Sequence, residues 1–105
     1  MKLNAYTFFD SAAQAFTQPF FMHNDGLAIR AFQDNVNAKE ENNMSQHPEQ
    51  FTLFRLGEFD DKSGTIKSLT PAKEIAIGIT LVNPENKQFT STQLEKILEI
   101  ISEDK

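Results

Sequence analysis

Two histidines beside acids are the first residues that could do chemistry: His23 heads "HND" and His47 heads "HPE". With Asp25 and Glu49 they would form a mixed nitrogen–oxygen donor set of the kind that suits a borderline metal. No H-x-x-x-H spacing sets them on one helical face, so loop and capping roles are expected and no metal site. Asp60 and Asp61 in "DDKSG" pair two carboxylates. A calcium loop needs oxygen ligands at alternating positions and a later bidentate glutamate, which this stretch lacks. A solvated hairpin turn is expected instead. Ser63 has no base suggested beside it. The four glycines form neither a phosphate-cradling loop nor a dinucleotide fingerprint. There is no cysteine, which removes disulfides, thiolate metal sites and thiol nucleophiles. The expectation is a protein that is not an enzyme and needs no cofactor.

Stacking is the chemistry that remains. The chain has 10 phenylalanines, one tyrosine and no tryptophan. Proteins that hold single-stranded nucleic acid set aromatic rings on an open sheet face beside cations that follow the phosphates. Arg30, Arg55 and Lys67, with Tyr6, Phe20 and Phe54, are the candidate contacts for single-stranded DNA. Most of the phenylalanines are expected to pack the core, because each removes a large apolar area from water. Charge points the other way from nucleic acid: 15 acidic residues against 10 basic give a net charge of −5. Non-specific affinity for nucleic acid rests on clustered lysine and arginine, and here the basic residues are scattered along the chain. The alternative is an acidic adaptor or inhibitor that acts on a replication, assembly or host protein without touching DNA.

Positioning these residues requires a single domain over residues 1–105, of mixed α+β class. The expected architecture is a small, mainly antiparallel sheet of four or five strands with two α-helices. "KLNAYTFFD", Lys2 to Asp10, alternates as a strand, with Leu3, Ala5, Thr7 and Phe9 on one face and Asn4, Tyr6 and Phe8 on the other. "SAAQAF" is expected to form a short helical turn. Phe20–Met22, after Pro19, reads as a short edge strand that could pair with a second copy in a homodimer. Asn24 or Asp25 caps a helix whose inner face carries Ala28, Ile29, Phe32 and Val36, with Arg30 pointing outward. Residues 37–50 read as a loop. "FTLFRLGEF" is the clearest strand and, being apolar on both faces, a central one. "DDKSG" turns it back into "TIKSL"; Pro71 interrupts, and "EIAIGITLV" offers a further strand.

The second helix is expected over about residues 90–102. Thr90 and Gln93 have capping-box spacing, and Phe89 with Leu94 could form a hydrophobic staple. Leu94, Ile97, Leu98 and Ile101 then supply the buried stripe, leaving Ile100 to contribute to an exposed apolar patch. No run of ~18 apolar residues suggests a membrane span, so a soluble, intracellular protein is expected.

Taken in order, "TQPFFMHNDGLAIRAFQDNVN" and "SQHPEQFTLFRLGEFDDKSGTI" resemble the small nonstructural protein of gokushovirus-type microviruses, the fifth-reading-frame product of these phages with circular single-stranded DNA. The residues that carry the resemblance are Pro19-Phe20-Phe21, Asn24-Asp25, Ala28, Arg30 and Phe32, then His47-Pro48-Glu49, Phe51 and Leu53. Gly57, Phe59, Asp60, Asp61 and Gly64 complete the pattern. It covers about residues 2–70 and fades from Thr70 onward. The resemblance implies an accessory protein acting in the cytoplasm of the infected bacterium, in single-stranded DNA synthesis and the passage to genome packaging. It implies as partners single-stranded DNA, the phage replication-initiation protein or the empty capsid precursor. It supplies no catalytic residues.

Overall fold

In the computed structural model, which describes residues 1–86 and 89–103, one antiparallel sheet organises everything else. Strand β1 is Lys2–Asp10, β2 Ala15–Phe16, β3 Phe20–Met22, β4 Phe51–Asp60 and β5 Thr65–Ile77. The order across the sheet is β2-β1-β4-β5, with β3 beside β2 on the same edge of β1. The α-helices among the described residues are α1 (Asp25–Val36), α2 (Asn43–Gln46) and α3 (Ser91–Glu103), and short 3-10 turns complete the elements. The α+β class is borne out, with β4 in the central position that its two apolar faces require. β3 is the expected edge strand.

Antiparallel partners across a ladder share a side of the sheet. Asn4, Tyr6 and Phe8 of β1 therefore lie with Glu58, Arg55 and Leu53 of β4. Helix α1 covers the inner part of this face. Its Asn24 cap accepts the Leu27 amide at 2.9 Å, and Ala28, Phe32 and Val36 turn inward as their spacing predicts. The Phe32 ring meets Phe8 with centroids 4.7 Å apart. Tyr6, Leu53, Phe51, Ile79 and Val82 close the same core, each large apolar side chain contributing roughly 1.5–3 kcal/mol by burial.

Three irregularities curl the sheet, one of them at Ile75, which passes unpaired between Glu74 and Ala76. Leu56, between Arg55 and Gly57, has no partner in β1, and opposite it four residues of β5, 69–72, pass without pairing between Ser68 and Lys73. Bulges increase local twist and bend the strand that carries them. Pro71 therefore does not end the strand. It lies in this unpaired stretch of an edge strand, where its missing N–H leaves no ladder bond unmade.

Elsewhere local chemistry redirects the expected elements. Ser11–Gln14 is a hairpin turn and no helix: the Asp10 carboxylate accepts the amides of Ala12 (3.0 Å) and Ala13 (3.3 Å), and Gln14 sits at φ 55°. Phe9 and Phe16 then pair across it. Within the expected loop of residues 37–50, Asn42 and Ser45 cap α2 reciprocally, and Pro48–Gln50 forms a 3-10 turn. The strand expected across Glu74–Val82 stops at Ile77. Gly78–Leu81 is a 3-10 turn that drops Ile79 into the core, and the Thr80 hydroxyl donates to the Ile77 carbonyl at 2.6 Å.

The capping box of α3 forms as expected: the Gln93 amide donates to Thr90 Oγ1 (3.2 Å), and the Thr90 amide donates to Gln93 Oε1 (3.1 Å). The buried stripe is a different one. Gln93 is only 2% exposed, and its Nε2 donates to Glu49 Oε1 at 2.9 Å. That bond rotates the helix so that Gln93, Ile97 and Ile100 face the body. Of the four expected core residues Ile97 does face inward, while Leu94, Leu98 and Ile101 stand 49%, 63% and 54% exposed. Gln93→Ala strips partners from the Thr90 amide and from a carboxylate whose other oxygen, Glu49 Oε2, is already buried without one. It is expected to lower the unfolding free energy by about 1–2 kcal/mol, read as a lower urea midpoint.

Candidate functional site

Helix α1 starts over the sheet, and its first residue, Asp25, reaches two strands at once. Arg55 Nη1 donates to both Asp25 oxygens at 3.0 Å. The Tyr6 hydroxyl donates to Asp25 Oδ1 at 2.7 Å, and Asn4 Nδ2 donates to the Tyr6 oxygen at 3.0 Å. A carboxylate in the first turn is also favoured by the helix dipole. Burial, reinforced by the bond to Asp25, pushes the Tyr6 phenol up to about 12. The network ties the helix to the sheet.

This geometry distributes the six candidate DNA contacts unevenly. Tyr6 has no exposed surface and presents no ring to a base. Phe20 is half-buried, stacked on Tyr6 and Phe8 with centroids 5.7 and 5.2 Å away. Arg30 is exposed on α1 and makes no ion pair among the described residues. Arg55 and Lys67 do converge: with Asn4, Glu58, Ser68 and Leu69 they line a groove of about 240 Å³. It continues into a smaller one, lined by Lys2, Asp60 and Thr65 as well as Glu58 and Lys67. Lys67 and Lys2 are the cross-strand neighbours of Glu58 and Asp60. Backbone amides, that of Lys62 first, hold the Asp60 carboxyl below its usual range, so the groove carries fixed negative as well as positive charge.

Phe54 lies on the opposite face, together with Phe9, Phe16, Phe21 and Phe59. Leu3, Ala5, Thr7 and Phe9 of β1 share this side with Phe59, Gly57, Phe54 and Thr52 of β4. The rings gather at two ends. Phe16 meets Phe9 at 4.8 Å and Phe54 at 5.8 Å, while Phe21 meets Phe59 at 5.6 Å. Between them the sheet is closed, because Thr7 bonds the Thr17 carbonyl at 2.7 Å and Ala5 is buried. Phe16 is 57% exposed, Phe21 43% and Ile66 59%, and none of these residues belongs to the core. The strand positions in register on this face include Glu74, opposite Phe54, and no lysine or arginine. Alternation in "KLNAYTFFD" had already separated Phe9 from Tyr6 and Phe8. Which face the helix covers depends on where the stripe of α1 lands, and a strand apolar on both faces does not reveal that.

The comparisons bear on the whole arrangement. A family model described as phage ORF5 protein matches residues 3–81, which bears out the resemblance and carries it beyond residue 70, through β5 to Leu81. No curated protein and no solved structure matches the chain. No helix among the described residues is long and apolar enough to cross a membrane.

Proposed function

We propose that this chain, which belongs to the phage ORF5 protein family, is an accessory protein of single-stranded DNA synthesis and the passage to packaging that works as an acidic adaptor. It binds another protein, the replication-initiation protein or the empty capsid precursor, through the uncovered aromatic face of its sheet. The observation that carries this reading is the separation of charge from stacking. The exposed rings of Phe16 and Phe21, with the half-buried ring of Phe54, lie on one face, while Lys2, Arg55 and Lys67 lie on the other. A single-strand platform needs both together. An exposed aromatic patch without cations suits the apolar centre of a protein interface, where aromatic rings are enriched and charge is depleted.

The test is a pull-down from infected cells, with and without nuclease, using the natural chain and a Phe16→Asp/Phe54→Asp variant. A phage replication or capsid protein that survives nuclease and disappears with the variant is the expected result. Partners lost to nuclease, with both chains behaving alike, would overturn it. A second reading, direct contact with single-stranded DNA, is favoured by the convergence of Lys2, Arg55 and Lys67 on adjoining grooves, where neither lysine is ion-paired among the described residues. It requires oligonucleotide binding that weakens steeply with salt and falls in Lys67→Glu.

A further inference from the structure

We infer that α3 is a second docking surface, distinct from the sheet face, and that its occupant is an amphipathic helix of another protein with an apolar stripe flanked by lysine or arginine. Leu94, Leu98 and Ile101 recur at i, i+4 and i+7, the spacing of one helical face, and each is about half exposed or more. They form a continuous ridge of two turns, because the helix spends Gln93, Ile97 and Ile100 on its own body. Three large aliphatic side chains aligned in this way present a stripe that helix-in-groove partners read.

Charge selects the partner. One position further round the helix from Leu94 and Leu98 stand Glu95 and Glu99, both exposed, on the side away from the body. Lys96 approaches Glu99 only at 3.9 Å, in an open i,i+3 pair, and such a pair leaves most of the field in place. The acidic margin repels phosphate and an anionic membrane surface alike. A second copy laid antiparallel would bring Glu95 and Glu99 towards their own counterparts, a juxtaposition that disfavours self-pairing. A basic margin on the incoming helix matches it. The ridge also lies outside residues 3–81, the part that matches the family, so this surface is additional to the fold that the family model describes.

Two labelled synthetic helices test the inference against the full chain by fluorescence anisotropy. They share a leucine stripe and differ in carrying lysine or glutamate along its flanks. The lysine-flanked helix is expected to bind. Leu98→Asp or Ile101→Asp should weaken it about tenfold or more, and Glu95→Lys with Glu99→Lys should shift preference to the glutamate-flanked helix. All these positions are exposed, and circular dichroism serves to check that the variants fold. Equal binding of the two helices, or binding of neither, overturns the inference. So does a concentration-dependent dimer in sedimentation that Leu98→Asp abolishes, which would make a second copy the occupant.

Discussion

Gly57→Ala is expected to destabilise the protein by about 3 kcal/mol, seen as a lower urea midpoint with an unchanged slope. The sign is what makes the experiment informative. Glycine within a strand normally costs stability relative to alanine, by roughly 0.5–1 kcal/mol, so an ordinary strand position would gain from the change. At Gly57 the new Cβ would run into the Lys67 carbonyl, with the Lys67 carbon and the Ser68 Cα at 3.0 Å. These are backbone atoms of the neighbouring strand and have no rotamer to escape into. Either β5 is pushed away from β4 or the bulge at Leu56 rearranges, and both undo pairing at Gly57↔Ser68 and Glu58↔Lys67. Amide exchange should accelerate at residues 65–68 before it does in β1. A neutral or stabilising result would show that the sheet does not curl here. That matters for function, because Gly57 lies between the Phe9–Phe16–Phe54 cluster and the Phe21–Phe59 pair on the aromatic face.

The same region shows what the sequence made legible. Alternation placed Tyr6 with Phe8, and Phe9 apart from them, because a strand's period of two survives whatever packs on it. The capping residues of α1 and α3 were equally plain, since caps are satisfied within a few residues. What escaped is non-local. Arg55 looked like a free cation because its partner, Asp25, lies 30 residues away and meets it only once α1 has docked. The stripe of α3 was misplaced because Gln93, read as a capping residue alone, also bonds Glu49 and so turns inward. Four aliphatic side chains in a row outweigh one amide in any reading of periodicity. In the folded chain, a buried amide with its partners aligned fixes the rotation, because leaving it unbonded is costly. The exposed ridge Leu94–Leu98–Ile101 is the residue of that competition.

Tyr6 should make the protein lose stability in alkali by a route that one substitution removes. Its phenol stands at 10.0 when exposed and at about 12 in the folded chain. Below pH 10 both states keep the proton and the full contribution is present. Between pH 10 and about 12 the unfolded chain ionises while the folded one does not, so the unfolding free energy falls by about 1.4 kcal/mol per pH unit. The loss attributable to Tyr6 is on the order of 2–3 kcal/mol and levels off above the folded value. The quantity to compare is the difference between the natural chain and Tyr6→Phe, whose curve should lack this component. Because Tyr6 is the sole tyrosine, the ultraviolet phenolate band reports it directly. A folded-state midpoint near 10 would sink the account. Asp25→Asn carries the test into function. Replacing the carboxylate by an amide removes a negative charge and leaves a weaker, neutral acceptor, so both contributions of Asp25 that raise the phenol decrease and the midpoint should fall while the protein remains folded. The same change releases the Arg55 guanidinium into the groove it shares with Lys67. If that groove follows DNA phosphates, oligonucleotide binding should strengthen in Asp25→Asn. If the protein is an adaptor that works through its aromatic face, the midpoint moves and oligonucleotide binding stays absent.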